Sequence, residues 1–409
     1  MKGRRRSGER VSVVEVCNAR QAWGAEFAVM ALAGPLAERG VDLTLASPLG
    51  GDLPEQWQKL GFRHVPLDIP SRQGVRGADG DAPPGAGQLV RELGTTLRSV
   101  RRIARVARDG DIINSSSLWT HVDCALAGRL ARRPVVLDMH DIVRPGLGRR
   151  LQTMAVRMSS ASIAVSNAVA DCVGRLGTPK LRIMVPAVDL VRFRPGPRDP
   201  EMRRRLTSSE DEPLIGIVGR IDREKGVDLV VRAVAAMTGP ASHAHLVVVG
   251  SPGFDSGDYL EQLKADAGRL LGDRARFAGR IDDIPTVLRT LDVVVNASVA
   301  EPFGLTVLEA QASGVPVVAT RSGGVTDYLT DGDNALLVPV GDADALARAL
   351  ELVLGDHALR AQLGRHARAL AETSHSVDGF ADDLADLYHR LARRAPVPAP
   401  AAGVGESGR

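Results

Sequence analysis

Short apolar runs alternate along this chain with longer segments in which apolar residues recur every three or four positions. The short runs predict buried strands, and the longer segments predict helices with one apolar face. In the first half we predict strands at 11–16, 42–46, 111–114 and 134–138, and helices at 26–39 and 89–107. In the second half we predict strands at 214–218, 245–249, 275–278 and 293–296, and helices at 227–237 and 259–271. Apolar strands separated by helices indicate parallel sheets covered on both faces.

The alternation stops at FRPGPRDP, residues 193–200, and then starts again. Because 409 residues exceed what one hydrophobic core ordinarily holds, two domains are expected. The predicted fold class is α/β, with two Rossmann-like, doubly wound parallel-sheet domains facing a cleft. We predict a first domain at 1–194 and a second at 195–375. A helix at 376–394 is expected to return to the first domain, and a tail at 395–409 to be disordered.

The composition, with 44% hydrophobic and 25% charged residues, is typical of a globular protein. The chain has no apolar run long enough for a transmembrane helix, and its basic start, MKGRRRSGERVSVVEV, lacks a signal-peptide core. Cys17, Cys124 and Cys172 lie far apart, which favours buried thiols in a reducing compartment. We therefore expect a cytoplasmic protein. Residues 70–87, rich in glycine, proline and aspartate, predict a long mobile loop.

Charge is distributed unevenly between the two halves. Residues 1–195 carry 29 Lys+Arg against 18 Asp+Glu, whereas the remainder carries 23 against 31. This asymmetry indicates either that the first half meets an anionic partner or that it has an ordinary arginine-rich surface in water.

Two glutamates stand out in AEPFGLTVLEAQASGVPVVAT, residues 300–320. Glu301 lies in a turn directly after the strand predicted at 293–296, at the sheet edge where open α/β folds place their ligands. Glu309 is expected about two turns into a helix that starts near Leu305. Ionised carboxylates accept several strong hydrogen bonds, so this pair suits a polyhydroxylated group.

Two cations follow the strand that opens the second half, in IGIVGRIDREKG. After the turn at Gly219, Arg220 and Lys225 project from a loop at a strand's carboxyl end, where they suit a diphosphate. The alternative is a pair of solvated loop cations. Gly323 and Gly324 follow a later strand, where their backbone amides could bind phosphate or simply form a turn.

The first half offers weaker candidates. His140 stands two residues beyond a predicted strand and could donate to a substrate hydroxyl or phosphate, and His121 is a lesser candidate of the same kind. Gly24 opens a helix N-terminus, which favours anions, although the GxGxxG fingerprint is absent. No pair of aspartates in a DxD-like turn predicts a metal site; Asp282–Asp283 and Asp331–Asp333 are interpreted as cap and turn residues.

Together these segments resemble the retaining glycosyltransferases of family 4, which have the GT-B fold. GRIDREKG resembles the family's phosphate-binding segment, and EPFGLTVLEAQASGVPVVATRSGG resembles its paired-glutamate motif. The segment that follows the motif in the family is matched by DGDNALLVPVGDADALARAL. The family's domain-linking segment is matched by PAVDLVRFRP. The first-half resemblance, in AEFAVMALAGPLAERGVDLTLAS, VVLDMHD and IAVSNAVAD, is looser. The segments cover most of residues 11–390.

The resemblance implies a role for each candidate residue. Arg220 and Lys225 would neutralise a donor diphosphate, Glu309 would bind ribose hydroxyls, and Glu301 would bind the donor sugar. The remaining implied donor-binding positions are Gly219, Phe303, Gly304, Leu305, Gly323 and Gly24, with His140 facing the donor from the other domain. Where the family has paired glycines, this chain has Gly24 and Ala25, so the second position lacks its glycine and the backbone contact expected there. The family's linker glycine is here Ala187, which changes only local backbone freedom.

The implied activity is a metal-independent, retaining transfer of sugar from a nucleotide-diphosphate sugar to a hydroxyl acceptor, without a cofactor or nucleic acid. The acceptor could be a bacterial glycan, a lipid-linked precursor or a small metabolite, contacted by residues 18–26, 70–87 and 115–123. One alternative is a GT-B epimerase or phosphorylase, although no extended acid–base set supports it. A non-catalytic GT-B partner protein is the other.

The helix predicted around residues 89–108 has an amphipathic pattern. Its apolar positions are Leu89, Leu93, Leu97, Val100, Ala104 and Ala107. Arginines occupy positions 91, 98, 101, 102, 105 and 108, and more follow at 129, 132, 133, 149, 150 and 157. Either this basic face holds the first domain against anionic lipid at the inner side of the membrane, or the apolar face packs on the sheet and the arginines meet water.

Overall fold

The computed structural model describes residues 10–70, 86–174, 180–253 and 257–394. The loop predicted at 70–87 falls almost entirely outside these ranges, and the tail predicted at 395–409 falls wholly outside them. Within the described ranges, no helix is both long enough and apolar enough to cross a membrane.

Strands and helices alternate through both halves of the described chain. The strands are β1 Val11–Val16, β2 Val41–Ser47, β3 Arg63–Pro66, β4 Ile112–Ser115, β5 Val135–Met139, β6 Ala161–Ala164, β7 Leu181–Ile183, β8 Leu214–Val218, β9 His245–Val249, β10 Ala275–Gly279, β11 Val293–Asn296, β12 Val317–Thr320 and β13 Leu336–Val338. The α-helices are α1 Gly24–Glu38, α2 Leu53–Lys59, α3 Ala86–Val106, α4 His121–Ala131, α5 Leu147–Met158, α6 Asn167–Cys172, α7 Pro200–Leu206, α8 Val227–Ala236, α9 Gly257–Leu271, α10 Ile284–Thr290, α11 Leu305–Ala312, α12 Ala343–Gly355, α13 His357–Ser374 and α14 Val377–Arg394. The bounds predicted for β1, β8, β9 and β11 are confirmed.

The strands form two sheets, in the orders β3-β2-β1-β4-β5-β6-β7 and β10-β9-β8-β11-β12-β13. Neighbours pair in parallel; Val13 of β1, for example, lies beside Leu43 of β2 and Ile112 of β4. The α/β class with two parallel sheets is therefore confirmed. In each sheet the chain reverses its direction of winding between two adjacent strands, β1 and β4 in the first and β8 and β11 in the second. Ligands of such sheets bind outside the carboxyl ends of the strands at this switch point.

The chain divides into two compact units. Among the described residues, the first unit comprises those up to 138, 146–162 and those from 381 onward; the second comprises 139–145 and 163–380. In the first unit, Arg39 Nε donates to Asp382 Oδ1 at 2.6 Å, and Arg39 O lies 2.9 Å from His389 Nε2. The middle of α14 therefore contacts the residue that follows α1. The boundaries predicted at 194 and 375 stay predictions.

The thiols of Cys17 and Cys124 are buried. Burial raises the pKa of both thiols above the ordinary value, and the carboxylate of Glu26 adds to the effect at Cys17. Both thiols therefore stay protonated and unreactive at neutral pH. Cys172 is half-buried.

Helix α3 differs from the pattern predicted for it. Val100, Ala104 and Ala107 are buried as expected, but Leu93 and Leu97 are exposed. The buried face instead includes Thr96, whose hydroxyl donates to a backbone carbonyl one turn earlier in the same helix. A buried threonine costs little when its hydroxyl is satisfied locally, and hydrophobic spacing alone does not show this.

Candidate functional site

The loops after β8 and β11 lie together at the switch point of the second sheet. Val299 N donates to Glu224 O at 2.8 Å, which joins the two loops directly. Gly226, which has a φ of +63°, also fits closely against the second loop; a Cβ there would lie 2.3 Å from Ala297 O. This position therefore requires glycine for both its conformation and its space.

Glu301 is buried beside Lys225, where the two loops meet. Lys225 Nζ lies 2.8 Å from Glu301 Oε2, which also accepts from Asn296 Nδ2 at 3.0 Å and Ser298 Oγ at 2.8 Å. Burial alone would raise the pKa of this carboxyl, but the ammonium of Lys225 and the three hydrogen bonds outweigh it and lower the pKa below its usual value. Glu301 is therefore a carboxylate at neutral pH.

Arg220 lies in the same loop, with a half-exposed side chain. Its Nη2 forms an ion pair with Asp222 Oδ2 at 3.5 Å. Asp222 in turn accepts from Lys225 N at 3.1 Å and so caps the short 3-10 turn Arg223–Lys225. The site thus contains one cation bonded to a buried acid and one that solvent can reach.

The turn after Glu301 is held by Tyr328, a residue that no sequence pattern indicated. Tyr328 Oη lies 3.1 Å from Phe303 O and 3.2 Å from Gly304 O, so its hydroxyl donates to these carbonyls. The rings of Phe303 and Tyr328 have centroids 4.9 Å apart. Gly304 has a φ of +92° and precedes Leu305, the first residue of α11. The side chain of Phe303 is thus buried in the core. The backbone of this turn leads directly into the N-terminus of α11.

Gly323 and Gly324 approach a backbone closely, but that backbone belongs to the chain itself. Gly324 N donates to Glu301 O at 2.7 Å. Gly323 has a φ of +56°, and a Cβ there would lie 2.0 Å from the same carbonyl. The two glycines therefore hold the turn that contains Glu301.

Glu309 is half-buried at the fifth position of α11. It lies just over one turn into the helix, so the prediction of two turns was wrong. Burial raises the pKa of its carboxyl to about 7, and the guanidinium of Arg192 opposes that rise. Its charge therefore changes near neutral pH.

The structure places His140 in the second unit, directly after β5. Desolvation raises the pKa of the Asp141 carboxyl, and electrostatic interactions with His140 and Arg220 oppose that rise. In the first unit, Gly24 is the first residue of α1. His121 is buried at the start of α4 with Nδ1 2.9 Å from Ser115 Oγ, which favours a structural role.

Comparison with known proteins shows where the chain belongs. The family described as "Glycosyl transferases group 1" matches residues 198–370, and "Glycosyltransferase Family 4" matches residues 23–192. The D-inositol 3-phosphate glycosyltransferase of Acidothermus cellulolyticus is 31% identical over 424 residues, covering 94% of this chain and 92% of that protein. The chain belongs to glycosyltransferase family 4. The resemblance read from its motifs is confirmed.

Other relatives of this family 4 glycosyltransferase match over shorter stretches. The lipopolysaccharide core biosynthesis glycosyltransferase LpsE of Rhizobium meliloti is 36% identical over 197 residues, 47% of this chain and 54% of LpsE. The D-inositol 3-phosphate glycosyltransferase of Salinispora tropica is 37% identical over 51% of this chain and 46% of that protein. The chain thus spans about half the length of these two relatives.

Solved structures confirm the GT-B fold of this glycosyltransferase. The Anabaena protein Alr3699/HepE, crystallised with UDP and glucose, matches with a TM-score of 0.79 and 22% identity, over 93% of this chain and all of that one. Sucrose-phosphate synthase from Thermosynechococcus elongatus matches with a TM-score of 0.74 and 21% identity, over 94% of this chain and 100% of that one.

Sequence reasoning missed several groups around the paired glutamates of the glycosyltransferase. Asn296 and Ser298 bond Glu301, Asp222 pairs with Arg220, and Tyr328 holds the turn. Asn296 gave one available signal, because it is a polar residue ending a strand of three valines. Among the described residues, no three His, Cys, Asp or Glu side chains come together as metal ligands.

Proposed function

We propose that this chain transfers a sugar from a nucleotide-diphosphate sugar to a hydroxyl acceptor, with retention at the transferred carbon and without a metal ion. The observation that carries the proposal is the pairing of Lys225 with buried Glu301 beside half-exposed Arg220, at the carboxyl ends of β8 and β11. Crystals of the Anabaena protein held UDP and UDP-glucose, which supports a donor of this class.

In this proposal, Arg220 and Lys225 stabilise the charge that grows on the leaving diphosphate. Electrostatic stabilisation of a charge that develops in the transition state is usually the largest single term in catalysis. The two cations also supply the positive charge that a metal ion would otherwise bring, which is our reason for proposing metal independence. Glu309 binds the ribose hydroxyls, and its charge near neutral pH sets how strongly it accepts them.

Glu301 acts on the donor sugar as a hydrogen-bond acceptor. Among the described residues, its three donors all reach Oε2, so Oε1 is available to a sugar hydroxyl. A carboxylate held by an ammonium and two further donors is a poor nucleophile. We therefore favour a front-face reaction, in which the acceptor attacks from the side of the leaving group and the departing phosphate takes its proton.

The names of two relatives support two kinds of acceptor as the first to be tested. One relative is named for D-inositol 3-phosphate and another for the lipopolysaccharide core. An acceptor screen should therefore contain a polyol phosphate and a lipid-linked saccharide.

The proposal is tested by measuring nucleotide-diphosphate release from UDP-, GDP-, ADP- and TDP-sugars. Arg220→Ala should lower turnover by about two to three orders of magnitude, the scale for losing one charge-stabilising group. The matched control is Arg232→Ala, because Arg232 is an exposed arginine of α8 paired with Asp228 within its own helix. Wild-type turnover in Arg220→Ala, or no binding of any nucleoside diphosphate, would refute the assignment.

A further inference from the structure

Among its described side chains, helix α3 exposes three large apolar ones between residues 90 and 97. Val90 is 71% exposed, Leu93 61% and Leu97 49%. At 3.6 residues per turn, these positions fall within one sector of about 60° around the helix. This exposed strip adjoins the buried face of the helix, which includes Val100 and Ile103 further along.

Two neighbouring helices of the first unit also expose apolar side chains. Helix α3 packs beside α4, and α4 packs beside α5. Leu130 of α4 and Leu147 and Met154 of α5 are also exposed. We call the outer surface of α3, α4 and α5 the basic helical layer, for the charge it carries.

The charge of the basic helical layer is almost entirely positive. Its three helices contain nine arginines: 91, 98, 101, 102 and 105 in α3, 129 in α4, and 149, 150 and 157 in α5. Their acids are Glu92 and Asp123, and Asp123 is fully buried. Arg98 and Arg101 are exposed and lie on the flank of the strip formed by Val90, Leu93 and Leu97.

We propose that the basic helical layer docks on the surface of an anionic lipid bilayer. Helices that lie in a membrane interface combine an arginine-rich polar face with a narrow apolar strip, as α3 does. The strip of Val90, Leu93 and Leu97 would enter the boundary between headgroups and acyl chains, while the arginines bind lipid phosphates.

Charge complementarity favours lipid over a second copy of the chain. Self-association through this surface would place nine arginines against nine others, which like-charge repulsion opposes. An anionic leaflet instead attracts each arginine near its surface, by about fivefold in the binding constant per side chain. The basic helical layer is distant in sequence from the proposed donor site. The docking proposal therefore does not depend on the transfer reaction.

Co-sedimentation of the full chain with vesicles tests the proposal. Vesicles of phosphatidylcholine with about one third phosphatidylglycerol should pellet the protein at low salt, and pure phosphatidylcholine vesicles should not. Binding should weaken as salt rises, because screening shortens the reach of the arginines. Arg98→Gln with Arg101→Gln should weaken binding about 25-fold, the product of two such contributions.

Two further variants separate the apolar strip from general surface effects. Leu93→Ser with Leu97→Ser should remove the part of binding that resists salt. Arg232→Gln with Arg269→Gln, which changes two exposed arginines of the second unit, should leave binding at the wild-type level. A wild-type protein that stays in the supernatant with anionic vesicles at low salt refutes the proposal, as does equal loss of binding in the control pair. Nucleotide-diphosphate release from the donor, measured with a soluble acceptor, reports on the proposed function separately.

Discussion

Removing the ammonium of Lys225 should destabilise the protein as well as inactivate it. Lys225→Met keeps the side-chain stem and leaves the carboxylate of Glu301 buried with Asn296 and Ser298 as its donors. A buried charge that loses its opposite charge is strongly destabilising, by about 3–5 kcal/mol. Lys225 is itself 27% exposed, and two hydrogen bonds remain, so we expect about 2–3 kcal/mol.

The loss should depend on pH with a definite sign. Glu301 has a lowered pKa in the folded protein, so its contribution to stability is present above the ordinary carboxyl pKa and is lost as pH falls through the folded value. In Lys225→Met the carboxyl can take a proton and become neutral. The difference between variant and wild type should therefore be largest near pH 7 and shrink below about pH 4.

The free energy of unfolding of each variant should be measured by calorimetry and by far-UV circular dichroism. Trp23, Trp57 and Trp119 all precede residue 139, so tryptophan fluorescence reports on the first unit and misses the change. A cycle with Glu301→Gln isolates the pair, and the double variant should be less destabilised than the sum of the single variants. Arg220→Ala is the matched comparison: Arg220 is 50% exposed, so its loss should cost under about 1 kcal/mol of stability.

Two outcomes would show that the pair is not coupled in this way. One is a Lys225→Met variant that unfolds with the wild type at neutral pH. The other is a destabilisation that is the same at pH 4 and at pH 7, because a cavity or lost packing would give that result without involving the charge of Glu301.

Two further predictions concern the donor. Since the pKa of Glu309 is raised to about 7, its carboxylate forms as pH rises through that value, and nucleoside-diphosphate affinity should increase between about pH 6 and 8. The ligand's own phosphate titrates nearby, so Glu309→Gln is the control: calorimetric titration should show a flatter pH profile, and an unchanged slope would contradict the role. Turnover should survive EDTA, because Arg220 and Lys225 neutralise the diphosphate; complete loss that magnesium or manganese restores would refute metal independence.

The second half of the chain was predictable because its signals are local. A strand of β-branched residues ended by a turn is visible in the sequence, and so is a helix that starts after a glycine. These signals located β8, β11 and the start of α11, and they placed Lys225 and Glu301 at carboxyl ends of strands. Adjacency of β8 and β11, which brings the two residues within hydrogen-bond distance, follows from the strand order of the doubly wound sheet.

The contacts around Glu301 were not predictable, because they depend on which atoms the fold brings together. Nothing near Tyr328 in the sequence indicates that its hydroxyl bonds carbonyls more than twenty residues earlier. The glycines at 323 and 324 were assigned to a ligand or a plain turn, and the structure shows them against the backbone of Glu301. A glycine pair in a sequence indicates a close approach to the backbone, but it does not show whether a ligand or another part of the chain makes that approach.

The exposed strip of α3 is a similar case. Apolar spacing of three and four residues predicted a single stripe from Leu89 to Ala107, as if one neighbour covered it throughout. The structure buries the second half of that stripe and leaves Leu93 and Leu97 exposed. Spacing reports which residues share a face of a helix, whereas coverage of that face depends on the length and position of the neighbouring elements.

The two halves of the candidate site differ in how much order they have before any ligand binds. Three donors hold the carboxylate of Glu301, Gly324 N bonds its carbonyl, and Tyr328 bonds the next turn, so this part is preorganised and donor binding has little left to fix there. Arg220 is half exposed, and its pairing with Asp222 at 3.5 Å is a weak surface contact. The ordering cost of donor binding therefore falls mainly on Arg220. Its guanidinium should gain its full interaction as charge develops on the leaving diphosphate, which is the property that raises turnover more than affinity.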